Sequence, residues 1–332
     1  MLLPISDARA LVESAMVAAG QTREEAEIIA DHLIDCELRG LSFGGLARAL
    51  SVIERIRTAE EPHRPITVRR ETLLSAALDG GDQVGYLVAK RVTDMAIEKA
   101  RSNTGLAIVG ASNTWYTGMF SYYLEMVTNA GFVGMIAGSG GPKVAPHGGT
   151  EARFSTNPIA FGFPADPQPV IWDVGTSSVM LGEVMLAERL GQALPEGRAF
   201  DPAGNPTLDP SDALAGAFTV WGGHKGSGLS MVVQLLGMLA GQAASPQGLT
   251  DCGFLLVVID PELLLPREDY FRRVSDFADT VRGTRREDEN ASVRVPFDRS
   301  AAERSRRLDE GVIDVPQQIY DALAAVAAAP AN

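Results

Sequence analysis

Trp221-Gly222-Gly223-His224-Lys225-Gly226-Ser227-Gly228 places glycines on both sides of a His-Lys pair, directly before an apolar run that begins at Leu229. The run predicts a helix over Ser227–Leu239. A helix N-terminus presents free N–H donors and the positive end of the peptide dipoles. Lys225 adds a point charge suited to a phosphate. The plainer reading is a flexible loop with a solvated lysine. The stretch also differs from the usual dinucleotide fingerprint. No GxGxxG follows a strand anywhere in the chain, and no acid lies about 20 residues beyond one. A nucleotide site here is therefore not of the Rossmann kind.

Two other segments have site-like patterns. Gly138-Ser139-Gly140-Gly141 follows a strand-like run at Phe132–Ala137 and is either a turn or a backbone cradle for phosphate. Asp173-Val174-Gly175-Thr176-Ser177-Ser178 closes another strand and enters a helix. Asp173 there suits a ribose hydroxyl, and Ser177 suits a helix cap. Of the four histidines, His32 falls within a helix and His63 in a polar linker, so both read as incidental. His147, between Pro146 and Gly148-Gly149, is placed to line a site. No pair of histidines has metal-ligand spacing, so no metal is expected.

The remaining segments alternate between helical and strand-like patterns. Thr22 and Glu25 form a capping-box pattern and Gly40 a stop, with Ala26, Ile29, Leu33 and Cys36 on one face. Helices are expected at 46–58, 85–101, 117–129, 178–190 and 267–281, the last with Phe271, Val274 and Phe277 inward. A final helix begins at Pro316, and the tail 327–332 is expected to fray. Strands are expected at 106–109, 132–137, 158–163 and 170–174. The uninterrupted apolar run Phe254–Ile259 should be a central strand.

Net charge is −13, from 42 acids and 29 bases. That balance argues against nucleic acid, which needs clustered Lys and Arg. Cys36 and Cys252 form no CxxC pair and read as buried spacers. The first residues lack a signal-peptide pattern, and Leu229–Ala244 is too short to span a bilayer. A soluble, cytoplasmic protein with no membrane partner is expected.

Several motifs occur together: Val144-Ala145-Pro146-His147-Gly148-Gly149, Thr156-Asn157-Pro158-Ile159-Ala160-Phe161, Leu194-Pro195-Glu196-Gly197 and Gly223-His224-Lys225-Gly226. Together they resemble the type-2 malate/L-lactate dehydrogenase family. Asn113-Thr114-Trp115 and Asp288-Glu289-Asn290 look most like its diketogulonate reductase branch. The resemblance implies an α/β fold, a mixed and largely antiparallel sheet flanked by helices, with a helical region built from the two chain ends. It implies a helical, substrate-side region at 1–112 with 291–332, and a nicotinamide-binding region at 113–290. It also implies NADH or NADPH as cofactor, a small carboxylate substrate and a homodimer. Carried over by position, the cofactor contacts are Val170, Ile171, Trp172, Asp173, Val174, Gly175, Thr176, His224, Lys225, Phe297 and Asp298. Arg48 matches an arginine that binds the substrate carboxylate, a good match for a guanidinium fork.

The sequence departs from its relatives where the proton chemistry lies. Two histidine positions of the family fall on Gly44 and Thr114. Ketone reduction needs a proton for the developing alkoxide, and a positioned acid contributes roughly 10²–10⁴-fold. Tyr116, Thr114 and His147 are the candidate catalytic residues, with Tyr116 activated by Lys143 or Lys225. Trp115 and Lys143 join Arg48 as substrate-side candidates. Three outcomes stay open: a substitute acid, a cyclic imine that brings its own proton, or a cofactor-binding homologue without redox chemistry.

Overall fold

The computed structural model describes residues 1–102, 105–246, 248–288 and 290–329. β1 (Leu2–Pro4) leads into α1 (Ile5–Ala18), α2 (Arg23–Leu38) and α3 (Leu46–Arg57), with a 3-10 turn at Ser42–Gly44 before α3. β2 (Thr67–Glu71) and β3 (Ser75–Val84) precede α4 (Gly85–Ser102), β4 (Leu106–Trp115) and α5 (Phe120–Asn129). β5 (Val133–Ser139), β6 (Ile159–Phe163) and β7 (Val170–Val174) are followed by α6 (Leu181–Leu190). A small lobe holds β8 (Ala199–Phe200), β9 (Pro206–Thr207), α7 (Pro210–Ala215) and β10 (Ala217–Phe218). Then come α8 (His224–Leu239), β11 (Cys252–Ile259), α9 (Arg267–Arg282), α10 (Asp298–Glu310), β12 (Val312–Asp314) and α11 (Gln317–Ala327).

Seven strands form one sheet in the order β2-β3-β4-β11-β5-β6-β7. Only β3 and β4 run parallel; the other neighbours are antiparallel. A mixed, largely antiparallel sheet was the expected class. β11 is the middle strand, as its unbroken apolar run requires, because a central strand is covered on both faces. Val88, Val92 and Ala96 of α4 pack with Phe120, Leu124 and Val127 of α5 on this sheet. The sheet takes β2 and β3 from before residue 112 and β5–β7 and β11 from after it, and β4 itself spans 112/113.

The chain ends build a second core. Val12 and Met16 of α1, Ile29 and Leu33 of α2, Leu50 and Ile53 of α3, and Ile319 and Leu323 of α11 are buried in one cluster. β1 pairs with β12, which ties the two ends together. The capping box at α2 is real: Glu25 N–H donates to Thr22 Oγ1 at 3.2 Å, and Thr22 N–H to the Glu25 carboxylate at 2.8 Å.

Three expectations need correction. The helix expected from Thr117 begins at Phe120, because Tyr116 and Gly118 are left-handed, with φ of 51° and 76°. The helix expected from Ser227 begins at His224, so His224 and Lys225 form its first turn. Phe277 does not face inward; it is 70 % exposed, and Ala278 is the buried residue of α9. The Asp288-Glu289-Asn290 motif and the frayed tail fall partly outside the described residues, at Glu289 and 330–332.

Candidate active site

A cavity of about 420 Å³ lies between the helical layer and the β5–β7 side of the sheet. Its floor is the turn before α3, its back wall is the 116–119 connection, and β7 and the head of α10 form the opposite side. β7 is the last strand of the sheet, so one edge of its backbone is left without a strand partner.

Arg48 is held there by an unusual helix start. α3 has no capping side chain of its own at Gly45. Instead the Leu46 N–H donates to Glu37 Oε1 at 2.7 Å. A Cβ at Gly45 would lie 2.2 Å from that oxygen, so only glycine lets the carboxyl reach the helix end. Burial pushes the Glu37 carboxyl up to about 7, although the Leu46 N–H and Arg307 act in the other direction. Less than one turn further on, Arg48 lines the cavity and is 9 % exposed. No carboxylate pairs with it among the described residues. Its Nη1 lies 3.4 Å from Met185 Sδ, and its guanidinium lies 4.4 Å above the Tyr116 ring. Gly182 of α6 comes so close that a Cβ there would be 2.5 Å from Arg48 Nη2.

Tyr116 follows β4 in a left-handed conformation that favours glycine, and such strained residues cluster at functional sites. The backbone beyond it is pinned from behind. The Met119 N–H donates to His32 Nε2 at 2.9 Å, and Tyr123 hydroxyl donates to the Thr117 carbonyl at 2.9 Å. His32, read from sequence as incidental, thus holds a cavity wall. Burial pulls its imidazole down to about 3, so it is a neutral acceptor. Burial also raises the Tyr116 phenol above its ordinary range, and Arg48 acts in the opposite direction. Arg48 is therefore the cation beside Tyr116, in place of the expected lysines. Lys143 Nζ donates to the Leu214 carbonyl at 2.9 Å, and neither Lys143 nor Lys225 lines the cavity.

The other candidates separate. Thr114 Oγ1 is buried and donates to the Gln83 carbonyl at 2.6 Å. Trp115 Nε1 donates to the Asp82 carbonyl at 3.0 Å. Neither residue lines the cavity; Trp115 is buried in the helical core, with Arg55 5.3 Å above its ring. His147 lies outside as well, its ring 6.3 Å from that of His224. Gly44 does line it, and a side chain there would find Cys36 Sγ at an ordinary 3.4 Å. Cys36 and Cys252 line it too, as free thiols that burial raises, Cys252 to about 12.

Of the expected cofactor residues, Ile171, Trp172, Asp173, Gly175 and Phe297 line the cavity. Val170, Val174, Thr176, His224, Lys225 and Asp298 do not. Asp298 is engaged by Arg282 at 2.7 Å, and Thr176 Oγ1 by Ser230 Oγ at 3.0 Å. Asp173 accepts the Ser121 N–H at 2.7 Å, and burial pushes its carboxyl up to about 6. At the rim, Phe297 starts α10 with φ of 84° and no side-chain cap, and Arg299 stands next to it on the cavity. Sequence reading missed Arg299, Glu37 and Tyr86, another cavity residue. None of them falls in a motif, and only the tertiary contacts single them out. Among the described residues, no group of three or more His, Cys, Asp or Glu could hold a metal ion, and no helix is long and apolar enough to cross a membrane.

The chain matches the malate/L-lactate dehydrogenase family over residues 3–324. It is 31 % identical to an L-sulfolactate dehydrogenase of Methanothermobacter thermautotrophicus, covering 96 % of this chain and 94 % of that protein. It is also 31 % identical to a delta(1)-pyrroline-2-carboxylate reductase of Ancylobacter novellus, over 98 % and 97 % of the two chains. A dehydrogenase structure from Sinorhizobium meliloti superposes with a TM-score of 0.91 at 30 % identity, covering 99 % of this chain and 98 % of the other.

Proposed function

The chain belongs to the malate/L-lactate dehydrogenase family, and from that premise we propose that it is an oxidoreductase that reduces a small 2-oxo acid to the 2-hydroxy acid, or runs the reverse, with NADH or NADPH. One observation carries the substrate class. Arg48 is a buried guanidinium that faces the cavity and has no carboxylate partner among the described residues. Burying an unpaired cation is unfavourable. A substrate carboxylate supplies the missing anion, and the planar fork matches it bidentately.

The residues fit a nicotinamide cofactor along β7 and the head of α10. The free edge of β7 and Trp172 offer a backbone and a ring surface, and Phe297 offers a second ring. The uncapped N-terminus of α10 and Arg299 suit a diphosphate. When bound, the cofactor supplies or accepts the hydride. Arg48 orients the carboxylate, which fixes the reacting carbon. Tyr116, under the guanidinium, holds the proton for the substrate oxygen; its raised phenol keeps that proton at neutral pH.

A second reading has its own support. Gly44 supplies no acid, and a cyclic imino acid with a protonated C=N⁺ needs none. The likeness to a pyrroline-2-carboxylate reductase points the same way. We further propose a homodimer. Met231, Val232, Leu235 and Leu239 expose an apolar face of α8 that a second copy would cover. The Leu235→Glu variant should sediment as a monomer; an unchanged sedimentation coefficient removes α8 from that role.

Stopped-flow loss of reduced-cofactor absorbance against a panel of 2-oxo and cyclic 2-imino acids separates the readings. Turnover of the oxo acids supports the first and turnover of imino acids alone the second. Cofactor binding without turnover of any member leaves a non-catalytic cofactor-binding homologue.

A further inference from the structure

Three tyrosines pack around the buried His32 ring. Tyr86, Tyr122 and Tyr123 lie with centroids at 4.6, 4.7 and 5.4 Å. Two of them have partners for their hydroxyls. Tyr122 donates to Asp31 Oδ2 at 2.6 Å, and Tyr123 to the Thr117 carbonyl at 2.9 Å. Tyr86 differs. It is 2 % exposed and lines the cavity, and its hydroxyl makes no hydrogen bond with any described residue. Buried phenols nearly always satisfy the hydroxyl. The Tyr86 oxygen is not among the fully enclosed polar atoms that lack a partner, so it opens on the cavity and takes its hydrogen bond from what the cavity holds, water or a bound molecule.

Its surroundings say what those contents are. Arg48 and Tyr116 both act electrostatically on the Tyr86 phenol. Arg48, Tyr86 and Tyr116 line the same cavity of about 420 Å³, so a molecule whose anion sits at Arg48 shares that space with the Tyr86 ring. The ring is also rigidly held. A Cβ at Gly118 would come within 2.4 Å of Tyr86 Cε1, so the loop backbone lies directly against it.

We infer that Tyr86 is a substrate-contacting residue whose hydroxyl donates a hydrogen bond to an oxygen of the carboxylate-bearing molecule that Arg48 holds. The inference rests on the reading of Arg48 above. It divides the work between two phenols. Burial drives the Tyr86 phenol far above its ordinary range, so it stays a neutral donor. Arg48 acts downward on both phenols, but only the Tyr116 ring lies directly under the guanidinium, at 4.4 Å. Tyr86 thus selects for acceptor oxygens beside the reacting carbon and transfers no proton.

Tyr86→Phe removes the hydroxyl and leaves the ring against His32. The probe is oxalate, a small planar dianion, titrated calorimetrically into protein saturated with reduced nicotinamide cofactor. Tyr86→Phe should weaken oxalate binding about tenfold, the effect of one hydrogen bond to a charged group. The KM of the best 2-oxo or imino acid should rise by a similar factor, with thermal midpoint and cofactor affinity as in the wild type. Arg48→Met should lose oxalate binding. If Arg48→Met loses binding while Tyr86→Phe binds as the wild type does, the inference falls and the reading of Arg48 stands. If the wild type binds no oxalate, the reading of Arg48 fails and takes the inference with it. A lower thermal midpoint with unchanged oxalate affinity assigns Tyr86 to packing and overturns the proposal.

Discussion

Arg39 and Arg48 are both buried guanidiniums, 2 % and 9 % exposed, and their surroundings are opposite. Around Arg39 the chain supplies acids. Asp35 accepts from its Nε at 2.6 Å and Glu125 from its Nη2 at 2.5 Å, while Arg304 stands 2.8 Å from the other oxygen of Asp35. The Arg39 guanidinium also lies 4.8 Å above the Phe297 ring. Around Arg48 the chain supplies a sulfur and the face of a phenol. Taking a guanidinium out of water is costly, and only good pairing offsets the loss. Arg39 is balanced within the fold and ties α2 to α5 and α10. Arg48 has no such acid among the described residues, and on the function proposed above a substrate anion supplies it.

Four substitutions can break or sharpen that contrast. The largest effect is expected at Arg39. Arg39→Met leaves Asp35 and Glu125 with Arg304 alone and should lower unfolding free energy by about 3 kcal/mol, read from urea denaturation. Arg48→Met removes no protein ion pair, so its urea midpoint should stay near the wild type. Its kcat/KM on carboxylate substrates should fall at least about thirtyfold, equivalent to ~2 kcal/mol for a truncated charge pair. Equal destabilisation by the two variants would end the distinction between them.

Tyr116→Phe should slow ketone reduction by at least about tenfold while cofactor affinity stays nearly unchanged. A wild-type rate on ketones would remove Tyr116 as proton source. A loss on ketones with full rate on cyclic imines would show that the imine brings its own proton.

The smallest effect concerns pH. Glu37 and Asp173 titrate near 7 and 6 in the folded chain, against ordinary values of 4.5 and 3.8. Between the ordinary and the raised values the folded chain holds protons that the unfolded chain has released. Stability from these groups is therefore gained as pH falls from about 7 toward 4 and lost as pH rises through the raised values. Glu37→Gln keeps an acceptor for the Leu46 N–H and cannot ionise. It should flatten the thermal-midpoint profile between pH 6 and 7, leave the Asp173 slope below 6, and change stability at pH 5 by less than about 1 kcal/mol. An unaltered slope above pH 6 would show that Glu37 is not the titrating group.

Much of the fold was legible because it is local. Thr22 and Glu25 form the capping box that their spacing predicts. The Phe254–Ile259 run is the central strand β11. The missing Rossmann fingerprint agrees with a sheet that is mostly antiparallel. The site was legible only in part. Arg48, Tyr116, Asp173 and Phe297 meet on one cavity, but Thr114, Trp115 and His147 do not. Thr114 and Trp115 spend their side-chain donors on the Gln83 and Asp82 carbonyls, while Tyr116, left-handed just beyond β4, lines the cavity. Phe277 shows the same limit on a helix. Its spacing fits an inward stripe, yet nothing covers that face of α9 within the described chain.

The sequence alone determined the helices and strands with strong periods and the absence of a GxGxxG nucleotide loop. Each is a matter of identity or short-range spacing. Tertiary structure decided which buried arginine lacks an acid among the described residues, that Glu37 caps the helix carrying it, that His32 pins the loop behind Tyr116, and that Tyr86 turns its ring to His32 and lines the cavity. These depend on which groups meet across long stretches of chain. A polar side chain is satisfied or unsatisfied only in relation to its neighbours, and burial sets how much the difference matters.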